Sequence, residues 1–169
     1  TALATLDINN TGGSGTITLK DIGDTDTQGV TGTSNIGNAA TNTLTLSGTT
    51  YKTDAVTYTT KAGENIDLTG GSDTTFTTSN DAITFGTGTV EMGNGSSLIV
   101  DTGTGGGAIN LEGGVMGTSS ENITLTAGTG TVAIGAVGTG TEVADVSITT
   151  TNNTTLSGDF TVTSLTNTG

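Results

Sequence analysis

Residues 122–134 read Asn122-Ile-Thr-Leu-Thr-Ala-Gly-Thr-Gly-Thr-Val-Ala-Ile134. Two apolar-x-apolar pairs, Ile123/Leu125 and Val132/Ile134, flank a link of Gly, Thr and Ala. Alternation with period two is the pattern of a strand with one buried face. Each buried face is only two side chains wide, and the link is too short to hold a helix. The same unit recurs outward in both directions, at Ile17/Leu19, Leu44/Leu46, Ile66/Leu68, Ile83/Phe85, Ile109/Leu111 and Val146/Ile148. Strands this short bury enough surface only when stacked on copies of themselves, which is the logic of a solenoid.

The spacing supports stacking. Ile22, Leu44, Ile66, Val90, Ile109, Val132 and Leu156 fall at intervals of 22, 22, 24, 19, 23 and 24 residues. Val56, Phe76, Leu98, Ile123 and Val146 form a second series roughly midway between them. Local echoes accompany the period: Asn65-Ile-Asp-Leu-Thr-Gly, Ala108-Ile-Asn-Leu-Glu-Gly and Asn122-Ile-Thr-Leu-Thr-Ala, and Thr45-Leu-Ser-Gly48 against Thr155-Leu-Ser-Gly158. The reading is a single all-β domain over 1–169, a right-handed parallel β-helix of seven to eight coils of about 22 residues, each with two or three strands. No window carries an uninterrupted helical period, so no helix is expected. The alternative is a β-sandwich subunit that polymerises by strand exchange. A sandwich needs tight hairpins, and Asn94-Gly95 is the best two-residue turn in the chain.

Composition agrees with a thin core. Hydrophobic residues make up 30% of the chain and Thr about a quarter, with 29 Gly and no Pro. A core that runs along an axis needs few apolar residues per coil, and β-branched Thr suits a pleated outer surface. Gly and Asn at the corners supply the positive φ that sharp turns require. Both termini, Thr1-Ala-Leu-Ala-Thr-Leu6 and Phe160-Thr-Val-Thr-Ser-Leu165, read as ordinary coil sequence without a cap. The expectation is a segment of a longer repetitive chain.

Charge excludes several partners. Sixteen acidic residues against Lys20, Lys52 and Lys61, with no Arg or His, give a net charge of −13. Such a surface repels nucleic-acid phosphates and anionic lipid. No apolar run is long enough to insert in a membrane as a helix. The absence of Cys suits export of an unfolded chain, since no disulfide can form before transit.

These Thr/Gly/Asn-rich coils, typified by residues 122–134 and combined with no Cys and almost no basic residues, resemble the large exported β-helices of bacteria. The filamentous-haemagglutinin-like two-partner adhesins and the autotransporter passengers are the nearest groups. The resemblance implies an extracellular, surface-displayed rod acting as stalk, adhesin or matrix component, with neighbouring coils, other copies, or host or surface glycans and proteins as partners.

Three chemistries compete with that reading. Lyases of this architecture need a cation and a strong base, and glycosidases need two placed carboxylates and usually aromatic platforms. With three Lys, two Tyr and three Phe, no catalysis and no cofactor are expected. Asp21-Ile-Gly-Asp-Thr-Asp26 offers clustered oxygens, making Asp21, Asp24 and Asp26 the candidate calcium ligands. The bidentate Glu of an EF-hand loop is replaced by Asn35. Thr-x-Thr pairs at 16/18, 43/45, 57/59, 87/89, 124/126, 129/131, 149/151 and 161/163 resemble the ice-binding arrays of antifreeze solenoids, but they follow a 22-residue register poorly.

Overall fold

The computed structural model describes residues 2–9, 15–24, 28–93 and 95–169. The chain is a right-handed parallel β-helix of about six turns, with no helix among the described residues. Each full coil visits three parallel sheets in a fixed order. The first sheet contains Asp7–Ile8, Ser34–Gly37, Val56–Thr59, Ile83–Phe85, Ile109–Leu111, Val132–Ile134 and Thr154–Leu156. The second contains Gly15–Leu19, Thr41–Leu46, Asn65–Leu68, Thr89–Met92 and Val115–Met116, extended by bridges from Val115 to Val137 and on to Phe160. The third contains Thr50–Lys52, Thr74–Thr77, Leu98–Asp101, Ile123–Gly128, Val143–Thr150 and Val162–Thr168, with Ile22 bridged beneath Tyr51. Every pairing is parallel, so the antiparallel sandwich alternative is not the fold; Asn94 lies outside the described residues.

Period-two alternation builds the core directly. In Asn65–Leu68, Ile66 and Leu68 are buried while Asn65 and Asp67 are half-exposed. Stacking these pairs makes three inward columns. The second sheet contributes Leu44, Ile66, Val90 and Val115 in register. The first contributes Ile36, Tyr58, Phe85, Leu111 and Ile134. The third contributes Tyr51, Phe76, Val100, Leu125 and Ile148. Where first and third columns meet, Tyr51 stacks on Phe76 at 4.9 Å and Tyr58 on Phe85 at 5.2 Å, with edge contacts between the two pairs.

The register differs from the 22-residue expectation in an instructive way. Leu44, Ile66 and Val90 do stack, but Ile109 lies in the first sheet, and Val115 sits over Val90. Ile22 belongs under Tyr51 rather than Leu44. Stacked residues are separated by as few as 19 positions (Val146 to Leu165) and as many as 29 (Ile22 to Tyr51). Extra residues are absorbed in the corners, so about six turns replace the expected seven to eight. The echoing segments report corner chemistry rather than register. Ser47 and Ser157 leave different sheets, yet each donates N–H and O–H to the carbonyl one coil below, Leu19 and Ile134 respectively.

Corners between third and first sheets are closed by buried Thr hydroxyls. Thr78 donates to Asp81 O at 2.5 Å and Thr102 to Gly107 O at 2.7 Å, while Thr150 donates to Gly130 O at 2.5 Å. Thr53, in the same column, has a buried hydroxyl with no partner among the described residues. Thr102→Val is therefore expected to cost about 1–2 kcal/mol, and Thr53→Val nothing or a slight gain. Urea unfolding midpoints of the two variants check this contrast. At the opposite end of the first sheet, Gly37 has φ +77°, and a Cβ there would lie 2.1 Å from Thr59 O, so only glycine fits.

Candidate functional site

The outer faces carry the polar side chains, and each face has its own character. On the first sheet a single outward row runs through Asp7, Asn35, Thr57, Thr84, Asn110, Ala133 and Thr155. Asp7 Oδ1 accepts both the backbone and side-chain N–H of Asn35. On the second sheet Asp67 stacks on Glu91, and Asn65 donates to Glu91 Oε2 at 2.6 Å. Burial, and then the Glu91 charge, raises the Asp67 carboxyl above its ordinary value.

The third sheet presents two outward rows. One runs Thr50, Thr75, Ile99, Thr124, Ser147, Thr166. The other runs Lys52, Thr77, Asp101, Thr126, Thr149, Thr168. Three Thr-x-Thr pairs, 75/77, 124/126 and 166/168, thus fall in one register, joined by Ser147/Thr149. Two of these, 75/77 and 166/168, are not among the pairs read from the sequence. Their true spacing is set by this sheet, with 24 residues from Phe76 to Val100 and 25 from Val100 to Leu125. A shallow cleft of about 260 Å³ sits at one end of the rows, lined by Asp24, Thr50, Lys52, Thr75 and Thr77.

The calcium candidates do not form a common cage among the described residues. Asp21 Oδ1 accepts N–H bonds from Thr49 and Thr50 at 2.7 and 2.9 Å. Those bonds, Thr50 first, hold its carboxyl below the usual range. Asp24 lines the cleft beside Lys52, and Asp26 lies outside the described residues. No group of three or more His, Cys, Asp or Glu converges among the described residues.

Asp21 belongs to a different device, which sequence reading missed. At the entrance to the third sheet, a side-chain acceptor in one coil takes a donor from the coil above. Asp73 Oδ1 accepts Ser97 N–H, Ser97 Oγ accepts Asn122 N–H, and Asn122 Oδ1 accepts Asp145 N–H. Asp145 Oδ1 in turn accepts the Ser164 hydroxyl at 2.5 Å. Each link satisfies a backbone or hydroxyl donor at a corner, where the ladder alone leaves it open. Asp21→Ala is accordingly expected to lower stability by about 1–2 kcal/mol, and added calcium to leave the melting temperature unchanged. A calcium-dependent rise in melting temperature would restore the metal reading.

The strongest polar knot is Glu121, a carboxylate only 1% exposed. Its oxygens accept N–H bonds from Thr118 and Ser119, hydroxyl bonds from both, and the Gly95 N–H of the coil below at 3.1 Å. Burial opposes ionisation, but the combined bonds from Ser119, Glu121 itself, Thr118 and Gly95 bring its pKa down to about 2. It is a fully committed anion.

No helix of the described residues is long and apolar enough to cross a membrane. No protein-family model, no curated protein and no solved structure matches this chain.

Proposed function

We propose that this chain is a segment of a non-catalytic, extracellular rod, a stalk, adhesin or matrix component of the exported bacterial β-helix kind. The observation that carries the reading is the division of labour between inside and outside. The unbroken parallel ladder encloses Tyr51, Tyr58, Phe76 and Phe85, leaving the outer faces to Thr, Asn, Asp and Ser. Carboxylates such as Asp21, Asp145 and Glu121 tie coil to coil. A surface without aromatic platforms, and with only three cations in the chain, supports a mechanical or adhesive role over turnover. Export suits the same features: no Cys to lock the chain early, and few sites for trypsin or chymotrypsin once folded.

A second reading, assembly into filaments, is favoured by one observation. The exposed large hydrophobics, Leu3, Leu156 and Leu165, lie in the first and last described coils, where a further coil, of another copy or of the same chain, would bury them. Small-angle scattering over a concentration series tests both. A slim monomeric rod at every concentration supports the stalk or adhesin; lengthening at constant cross-section supports the filament. A compact particle of equal axes defeats both.

A further inference from the structure

We propose that the outward surface of the third sheet is an ice-binding face. The inference is independent of the rod reading and rests on three features of that surface. First, the Thr-x-Thr pairs 75/77, 124/126 and 166/168, with Ser147/Thr149 between the last two, share one unbroken parallel register. A parallel sheet sets hydroxyls about 4.8 Å apart along the rod and about 6.7 Å apart across each strand. Those two repeats are close to the oxygen spacings on the prism faces of hexagonal ice. Second, the hydroxyls of Thr75, Thr77, Thr124 and Thr126 make no hydrogen bond to any described residue, so they are left to organise water; Thr149 and Thr168 approach each other at 3.4 Å along their row. Each Thr also offers a methyl beside its hydroxyl, which favours ordered water over bulk water.

Third, the charge of this face matches a neutral partner. The chain carries −13, and the first and second sheets place Asp7, Asp67 and Glu91 on their outer rows. On the two rows of the third sheet only Lys52 and Asp101 are charged, and the part above Asp101 is uncharged. A dense hydration shell around carboxylates would resist an ice lattice; these two rows avoid one over three successive coils. The exposed Asp145 stands beside them, two positions before Ser147 on the same strand, where it accepts the Ser164 hydroxyl.

The test measures thermal hysteresis, ice recrystallisation and partition of the folded chain into a growing ice front. The chain itself is expected to enter the ice and to hold crystals small. The double variant T126K/T149K, two outward substitutions in the uncharged part, is expected to lose both effects. The control T57K/T84K, on the first sheet, is expected to keep them, with circular dichroism and melting confirming that both variants fold. Exclusion of the parent chain from ice, or equal loss in the control, overturns the proposal. So does retention on an immobilised neutral polysaccharide without any effect on ice, which would assign the same hydroxyl rows to sugar.

Discussion

Replacing Glu121 with alanine is expected to lower stability by about 2–3 kcal/mol. The carboxylate is the shared acceptor for Thr118, Ser119 and Gly95, and through Gly95 it clamps two coils together. Without it, three backbone donors, on the exposed residues Gly95, Thr118 and Ser119, lose their protein partner. Glu121→Gln is the sharper variant: it keeps the volume but turns an NH₂ group toward donors, so a loss of about 2 kcal/mol is expected. The pH dependence follows from the direction of the shift. The folded pKa, about 2, lies below the ordinary 4.5, so the folded state favours the anion. Its contribution is complete above the unfolded value and is lost as pH falls from about 4.5 toward 2. Asp21 acts in the same sense and Asp67 in the opposite one, but both are common to parent and E121Q. The difference between the two urea midpoints should therefore shrink between pH 5 and pH 2.5. A difference that stays constant over that range would mean Glu121 is not a committed anion.

The legible part of this fold is its strand chemistry. Ile66-Asp-Leu68 and Ile123-Thr-Leu125 point two side chains inward, and both are strands with that alternation. Periodicity two survives because it is set within a strand by the pleat. The interval between coils is set in the corners, where backbone length is free as long as donors find acceptors. Gly103-Thr-Gly-Gly-Gly107 lengthens one corner without touching the core. An eye trained on 22 residues therefore slips from the second sheet to the first between Val90 and Ile109.

The same slip hid the hydroxyl rows. Counted at 22, Thr75, Ile99 and Thr124 have no relation; counted along the third sheet they are neighbours. Acidic residues were misleading for another reason. A carboxylate in a Gly/Ser/Thr-rich turn offers the same oxygens to a cation or to backbone N–H groups. In Asp21 and Glu121 the N–H groups hold them. Sequence spacing alone does not distinguish the two: the donors to Asp21 come from the coil above, 28 and 29 residues away, and Glu121 adds to its neighbours Thr118 and Ser119 the Gly95 N–H of the coil below, 26 residues away.

The aromatic stack provides the second large expectation, and it pairs a loss with a gain. Phe76 is fully buried, stacks on Tyr51 at 4.9 Å, and meets Tyr58 and Phe85 edge-on at 5.5 and 5.0 Å. A solenoid core is one coil thick, so neighbouring coils are held apart by the ladder and collapse little around a void. Phe76→Ala is thus expected to cost about 4–5 kcal/mol, against about 2–3 kcal/mol for Val100→Ala in the next coil of the same column. Tyr58 is different. Its ring is as buried as that of Phe76, yet its hydroxyl has no partner among the described residues. Burial raises its pKa strongly, so the neutral phenol is kept in an apolar site. Tyr58→Phe should be neutral or stabilising by up to about 1 kcal/mol, because an unsatisfied polar group is removed at constant shape. Tyr51→Phe is the contrast: its hydroxyl donates to Leu19 O and accepts Gly48 N–H, and its loss should cost about 1 kcal/mol. Urea midpoints at constant slope rank the four variants. If Tyr58→Phe proves more damaging than Tyr51→Phe, the Tyr58 hydroxyl has a partner, and the core around it is wetter than the stacked rings imply.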